Sequence, residues 1–179
     1  MKLLLDTNIL LDCMMDRQPF AADARKLLIL GALGEVDLWM SPSQFTDAFY
    51  LLTEGGKPRL AESVKLRLLK VKRLARICTL GEYDIENALE SSWPDFEDAC
   101  LYQCAKKLHA EAIITRMHHT ATLVPARGMY SNKETHVLLC IITRNQADFD
   151  RSTIPVYDCA EFFAHLKNVH GLVYEEIDW

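Results

Sequence analysis

Four aspartates of this 179-residue chain lie where they could act together as metal ligands or catalytic acids. Asp6 and Asp148 each follow a short apolar segment, whereas Asp47 and Asp98 lie in predicted helices that follow other such segments. Carboxylates gathered at one edge of a sheet repel one another unless a divalent cation neutralises them. Oxygen ligands without His or Cys pairs at zinc spacing favour Mg²⁺ or Mn²⁺. The residue types therefore predict a Mg²⁺ or Mn²⁺ site.

Each of these acids also has a structural interpretation when it is taken alone. Asp6 and Asp95 precede predicted helices and are suited to capping them, and Asp98 would then be an acid in the first turn, favoured by the helix dipole. Asp148 lies in a polar segment, where aspartate is common in turns. Asp47 lies inside an otherwise apolar helix, although exposed helical acids are common. The case for chemistry depends on the acids meeting at one place.

Short apolar segments alternate with helical patterns along most of the chain. The predicted strands span residues 2–5, 36–40, 77–80, 112–115 and 154–157. The predicted helices span residues 7–14, 20–33, 42–53, 60–75, 85–90, 96–109 and 160–167. Strands separated by helices, without the pattern of hairpins, indicate an α/β fold with a parallel sheet. In such sheets sites form at the carboxyl ends of the strands, which is where Asp6 falls.

One strand sequence occurs twice. Ala112-Ile113-Ile114-Thr115-Arg116 returns almost unchanged as Cys140-Ile141-Ile142-Thr143-Arg144, 28 residues later. Only one copy can fill a given position of one sheet, and the sequence does not show which copy is central. We predict one α/β domain over residues 1–166, with an inserted hairpin at about 117–140, and a C-terminal tail over residues 167–179.

The composition is that of a globular protein of one domain. Apolar residues make up 50% of the chain and charged residues 25%, which excludes a disordered chain, a collagen-like repeat and a disulfide-stapled miniprotein. The six cysteines form no Cys-x-x-Cys pair, so we expect reduced core residues of a cytoplasmic protein. Asp6 interrupts the apolar start of the chain, and no apolar segment approaches the ~20 residues of a membrane span. We therefore expect no membrane association.

Positive charge is concentrated in one segment of an acidic chain. The net charge is −5, yet residues 57–76 carry eight basic side chains and one acid. Lys65, Lys72 and Arg76 are separated by seven and four residues, so on one helix they would share a face. We predict that this face contacts the phosphate backbone of a nucleic acid; a solvated helix face is the alternative.

Three sequence motifs resemble those of PIN domains. The first is a strand that ends in Asp-x-Asn, within Leu3-Leu4-Leu5-Asp6-Thr7-Asn8. The family's third acidic motif resembles Asp95-Phe96-Glu97-Asp98-Ala99, and its fourth is similar to Ile142-Thr143-Arg144-Asn145 followed by Asp148-Phe149. The best match to the family's second acid is Asp47. The resemblance extends over about residues 1–166, apart from the predicted insertion.

The resemblance implies a metal-dependent ribonuclease with a central parallel sheet flanked by helices. Many prokaryotic PIN domains are toxins that an antitoxin encoded beside them neutralises, and PIN domains often form dimers. Carried over to this chain, the catalytic acids would be Asp6, Asp47, Asp98 and Asp148. The Mg²⁺ or Mn²⁺ ligands among them would be Asp6, Asp98 and Asp148. The supporting residues would be Asp95, Thr7, Asn8, Thr143 and Asn145, with Arg144 as a phosphate clamp. RNA would contact Lys65, Lys72 and Arg76.

Two departures from the family pattern leave other functions open. The second family acid is usually Glu, whereas this chain has Asp47, and the predicted insertion directly precedes the fourth motif. A domain that holds RNA or a protein without cleaving it is therefore the main alternative to a Mg²⁺- or Mn²⁺-dependent endoribonuclease. A phosphatase or phosphotransfer domain with Asp6 as nucleophile is less favoured, since position 8 is Asn8 instead of the second Asp of phosphatases.

Overall fold

The computed structural model describes residues 1–110, 112–115 and 152–174. Within these ranges the strands are β1 (Lys2–Leu5), β2 (Asp37–Met40), β3 (Ala75–Ile77), β4 (Ala112–Thr115) and β5 (Val156–Asp158). They form one sheet in the order β3-β2-β1-β4-β5, and each neighbouring pair is parallel. The carboxyl ends of all five strands therefore lie at one edge of the sheet, and the amino ends lie at the opposite edge.

Helices connect and flank these strands. Those in the described ranges are α1 (Thr7–Met15), α2 (Ala21–Ala32), α3 (Pro42–Leu52), α4 (Pro58–Leu74), α5 (Glu82–Glu90), α6 (Phe96–Leu108) and α7 (Cys159–His170). A parallel sheet flanked by helices is the predicted α/β fold class, which the structure confirms.

Two hydrophobic cores lie on opposite faces of the sheet, because successive side chains of a strand alternate between its faces. Leu3 and Leu5 of β1 are buried in the larger core, to which α1, α2, α3, α4 and α7 contribute. Leu4 is buried in a smaller core on the other face, together with Leu101 and Cys104 of α6. The sheet is thus the middle layer of three, with apolar packing on both sides.

Polar side chains define where α3 begins at the carboxyl edge. Ser41 and Gln44 form a capping box, and Pro42 occupies the first position of the helix. The Gln44 side chain is buried and also donates a hydrogen bond to the backbone carbonyl of Leu5. The start of α3 is therefore attached directly to the last residue of β1.

The segment that follows α4 differs from the prediction. We predicted a helix to about residue 75 and a strand at 77–80, but β3 already begins at Ala75. From Ala75 onward the chain pairs with β2 as a strand, although the spacing of its apolar residues is still that of a helix. The prediction that Lys65, Lys72 and Arg76 share one helical face is therefore wrong for Arg76, which lies in β3.

The elements at the C-terminal end extend beyond their predicted bounds. We predicted a strand at 154–157 and a helix at 160–167, whereas β5 ends at Asp158 and α7 continues to His170. Asp158 forms a capping box with Glu161 and so starts α7 directly after the strand. Gly171 ends the helix with a φ of 66°, in the left-handed region that glycine adopts without strain.

The first copy of the repeated segment fills the β4 position. β4 lies between β1 and β5 and pairs with both. The hydrogen bonding continues one residue past β1, since the backbone N–H of Asp6 donates to the carbonyl oxygen of Ile114 at 2.7 Å. The second copy, residues 140–144, and the predicted insertion at 117–140 lie outside the described residues.

The described cysteines agree with the prediction of reduced core residues. Four are buried as free thiols, namely Cys78, Cys100, Cys104 and Cys159, and Cys13 is half-buried. None of the helices in the described ranges has both the length and the apolar character needed to cross a membrane.

Because the two copies of the strand are nearly identical, either should complete the sheet when it is the only copy present. Deleting residues 112–139 removes the first copy and joins the second copy directly to residue 111. The second copy then begins as many residues after α6 as the first copy does in the wild type. We expect this variant to fold and to unfold cooperatively on heating, as followed by circular dichroism. Deleting residues 112–143 removes both copies and should prevent folding, because nothing then pairs with β1 and β5. Aggregation of the first variant would show that the copies are not interchangeable.

Candidate active site

Asp6 lies at the carboxyl end of β1, in extended backbone immediately before α1. The residue is only 8% exposed, and its Oδ2 accepts a hydrogen bond from the side-chain amide of Asn8 at 3.0 Å. The Asp6 carboxylate forms no side-chain hydrogen bond that caps α1. Asn8, predicted as a supporting residue, therefore orients the Asp6 carboxylate within the first turn of the helix.

A carboxylate that the sequence prediction did not include, Glu97, lies close to Asp6. The Thr7 hydroxyl donates to Glu97 Oε1 over 3.2 Å, which joins the first turn of α1 to that of α6. Partial burial raises the pKa of Glu97, the negative charges of Asp6 and Asp47 raise it further, and the hydrogen bond from Thr7 opposes the shift. Carboxylates carried by the starts of α1 and α6 and by α3 therefore interact at this edge.

Asp47 reaches the same edge from α3, whose first residue follows the end of β2. Its side chain is half-buried, and its negative charge is among the causes that raise the pKa of Glu97. The capping box at the start of α3 and the bond from Gln44 to β1 fix the direction of this helix. The structure thus places Asp6, Asp47 and Glu97 at the same edge of the sheet.

Asp95 is the N-cap of α6. Its Oδ1 accepts hydrogen bonds from the backbone N–H groups of Glu97 and Asp98, at 2.7 and 3.1 Å. Asp98 is half-buried at the third position of the helix, directly after Glu97. The structure therefore gives Asp95 a structural role, which the sequence left open, and it places Asp98 in the turn that carries Glu97.

The N-termini of α1, α3 and α6 all lie at the carboxyl edge. The partial positive charge of a helix N-terminus favours a nearby anion by about 0.3–1 kcal/mol at an exposed site. These dipoles offset part of the repulsion among the carboxylates. The pKa of Glu97 is nevertheless raised, with neighbouring acids among its causes, so the edge keeps an excess of negative charge. Such an edge suits a bound cation.

The donors at this edge are carboxylates, the ligand type that Mg²⁺ and Mn²⁺ prefer. Within the described residues, however, no three His, Cys, Asp or Glu side chains lie close enough together to hold a metal ion. The predicted ligand Asp148 lies outside the described residues, as do the supporting residues Thr143, Arg144 and Asn145. The described acids therefore fit a divalent cation in chemical type without forming a complete set of ligands.

The predicted RNA-contact residues lie away from the acidic cluster. Lys65 and Lys72 are exposed on α4, and Lys72 lies in the last turn, which leads into the amino end of β3. Arg76 forms an ion pair with Asp37, with 3.2 Å between Nε and Oδ1, and its guanidinium lies 5.6 Å from the ring centroid of Trp39. Negative charge therefore gathers at the carboxyl edge, while Lys72 lies toward the amino edge.

The fold and the site define an α/β protein with a parallel sheet and acids at its carboxyl edge, and comparison with known families specifies it further. Residues 2–119 match the sequence model of the PIN domain. The chain therefore belongs to the PIN-domain family, which confirms the predicted resemblance; the motif that contains Asp148 lies beyond the matched residues. Residues 119–148 match a different family, described as an uncharacterised protein conserved in bacteria. The second match begins within the predicted insertion.

Several solved structures are similar to the chain, including the following two. A crystal structure of VapBC2 from Rickettsia felis, bound to a DNA fragment from their promoter, has a TM-score of 0.53 and 12% identity, over 88% of this chain and 98% of that chain. The crystal structure of VapC20 from Mycobacterium tuberculosis, a sarcin-ricin loop cleaving toxin, has a TM-score of 0.48 and 14% identity, over 62% and 86% of the two chains. The VapBC2 likeness supports the fold. No curated protein matches the sequence.

The raised pKa of Glu97 predicts a pH-dependent effect on stability. A carboxyl group whose pKa is raised by folding destabilises the folded state where it is ionised and has no such effect below its unfolded pKa. We expect Glu97→Gln to raise the melting temperature by roughly 2 °C at pH 7 and to leave it unchanged near pH 3. Differential scanning fluorimetry in the presence of a chelator measures both values.

Glu86→Gln is the matched control for this substitution, because Glu86 is an exposed carboxylate on α5. The control should change the melting temperature little at either pH. A lower melting temperature of Glu97→Gln at pH 7 would contradict the prediction, since it would mean that the carboxylate stabilises the metal-free protein.

Proposed function

We propose that this chain is an endoribonuclease that hydrolyses RNA phosphodiester bonds with the aid of Mg²⁺ or Mn²⁺. The observation that carries the proposal is the acidic edge, where the starts of α1 and α6 are joined through Thr7 and Glu97, with Asp47 close by. Sites of parallel α/β sheets form at this edge. Membership of the PIN-domain family supports the same reaction.

In this proposal the acids have distinct roles. Asp6, Asp98 and Asp148 hold the metal ion, and Asp47 completes the catalytic set. A divalent ion, when bound, lowers the pKa of a coordinated water and neutralises charge on the phosphate. Asp95 acts through the helix, because its cap on the backbone N–H of Asp98 fixes the turn that carries that residue.

The remaining predicted residues position ligands and substrate. Asn8 orients the Asp6 carboxylate through its hydrogen bond, and Thr7 attaches the same turn to α6. Thr143 and Asn145 are proposed to orient ligands or waters, and Arg144 to bind a phosphate oxygen as charge develops on it. RNA contact is proposed for Lys65, Lys72 and Arg76.

We also propose that the chain is the toxin of a toxin–antitoxin pair, that it acts in the cytoplasm and that it forms a homodimer. The support for these proposals is the PIN-domain family, in which many prokaryotic members are toxins. Expression in a bacterial host provides a direct test. Growth should stop when the wild-type chain is induced. It should continue when the variant Asp98→Asn is induced, because that variant lacks a proposed metal ligand.

A domain that binds RNA or a protein without cleaving RNA is the second candidate. The observation in its favour is that, in the ranges the structure describes, fewer than three ligand side chains gather closely enough to hold a metal ion. Asp47 also favours the binding domain, because an aspartate side chain is one methylene shorter than the glutamate that is usual at this position of the family. The two candidates differ in whether the chain binds Mn²⁺ and cleaves RNA.

Asp98→Asn separates the two candidates. Asparagine has nearly the same size as aspartate but no charge, so the variant should fold and bind RNA while losing RNA cleavage. Its affinity for Mn²⁺ should fall at least tenfold, or about 1.4 kcal/mol, in titration calorimetry at neutral pH. Cleavage is followed on a labelled single-stranded RNA with Mn²⁺ present and with a chelator.

Asp95→Asn is the control, since asparagine is as good an N-cap residue as aspartate. This variant should keep its melting temperature, its Mn²⁺ affinity and its activity. A well-folded wild-type chain that binds RNA but neither binds Mn²⁺ nor cleaves RNA would reject the nuclease in favour of the binding domain. Loss of folding in Asp98→Asn would assign Asp98 a structural role instead.

A further inference from the structure

The amino edge of the sheet contains a cavity of about 410 Å³, on the side away from the acidic cluster. The C-terminal ends of α2 and α4 line it, together with the first residues of β2 and β3. Gly34 forms part of the lining, with a φ of +76° and no atom within 4 Å of the place a Cβ would take. The volume is in the range of cavities that bind small ligands or parts of larger ones.

The cavity is electropositive. Its charged lining residues are Asp37, Lys72, Arg73 and Arg76. Asp37 is paired with Arg76. Lys72 and Arg73 form neither an ion pair nor a side-chain hydrogen bond with any residue in the described ranges. Two positive charges with no partner among the described residues therefore lie beside a concave opening, which concentrates their potential.

The dipole of α4 explains only part of this arrangement. Cations in the last turn of a helix are favourable, and Lys72 and Arg73 occupy that turn. The dipole accounts for their charge but not for the cavity that they line together with Arg76 on the neighbouring strand. An opening lined by two cations without a described partner and by a further guanidinium has the charge and donor chemistry that bind phosphate.

We propose that this cavity binds a backbone phosphate of the RNA, at the opposite edge of the sheet from the acids. The identity of the ligand rests on the proposed function. RNA is favoured over an acidic peptide because the proposed reaction requires RNA at the acidic edge, and a chain with a net charge of −5 holds a polyanion there only where positive charge attracts it.

The test compares two double variants of α4 that remove the same residue types. Lys72→Ala with Arg73→Ala removes the unpaired cations of the cavity. Arg59→Ala with Lys70→Ala removes one arginine and one lysine that lie outside it. Affinity for a single-stranded RNA of about 12 nucleotides is measured by fluorescence anisotropy at several salt concentrations, in chelator so that no cleavage occurs.

We expect the cavity variant to bind RNA more weakly and the slope of log K against log salt to become shallower by about 0.7, the change that corresponds to one lost phosphate contact. The control variant should keep the wild-type slope. Equal changes in both variants would overturn the proposal, because they would show general attraction by the basic helix. An unchanged slope in the cavity variant would overturn it as well.

Two further ligands distinguish RNA from other anions. Uridine monophosphate that binds the wild type but not the cavity variant would assign the cavity to a free nucleotide. Polyglutamate that displaces RNA from the wild type alone would assign the cavity to an acidic protein segment.

Mn²⁺ titration of the cavity variant should give the same affinity as titration of the wild type. The RNA measurement in chelator does not depend on cleavage, so the failure of this proposal and the failure of the nuclease proposal remain distinguishable.

Discussion

Carboxylates gather at the carboxyl edge of the sheet, and the rest of the described structure has to offset the repulsion among them. The raised pKa of Glu97 shows that its neighbours add to the cost of its charge. The apolar core beneath the edge opposes this repulsion, because burying a side chain such as Leu3 or Leu5 stabilises the fold by about 1.5–3 kcal/mol. Polar bonds then set the position of each acid: the Gln44 amide holds α3 on β1, and Asn8 holds the Asp6 carboxylate. The stability of the core thus allows mutually repelling carboxylates to lie together at the carboxyl edge, as a cation site requires.

The same short sheet separates charges of opposite sign. The acids follow the carboxyl ends of the strands, whereas Lys72 and Arg73 lie where α4 enters the amino end of β3. The separation follows from the connectivity, because in a parallel sheet each helix that precedes a strand ends at the amino edge and each helix that follows a strand begins at the carboxyl edge. Helix dipoles reinforce it, with helix N-termini beside the acids and a helix C-terminus beside the cations. A polyanion that reaches both edges is attracted by the basic side chains at the amino edge. At the carboxyl edge it is repelled by the acids unless a bound cation neutralises them.

Local sequence signals were sufficient for the order of elements and for the acids that follow them. Ser41 and Asp95 are caps that a few residues specify, and the helices begin where these caps predict. Glu97 could not be found in this way, since the rotation of α6 that directs it to Thr7 is set by packing against the sheet. Spacing alone predicts that Arg76 shares the helical face of Lys65 and Lys72, whereas pairing with β2 decides that it belongs to β3. In both cases the deciding contact is made with residues distant in the chain.

The choice between the two copies of the strand shows the same limit. Both copies offer the sheet the same Ile-Ile-Thr side chains, so the strand sequence itself cannot decide between them. The structure places the first copy between β1 and β5, four residues after the end of α6. The second copy begins 28 residues later in the chain. The two copies therefore differ in where they stand along the chain relative to α6 and β5, and a reading of the strand alone cannot show which position the fold uses.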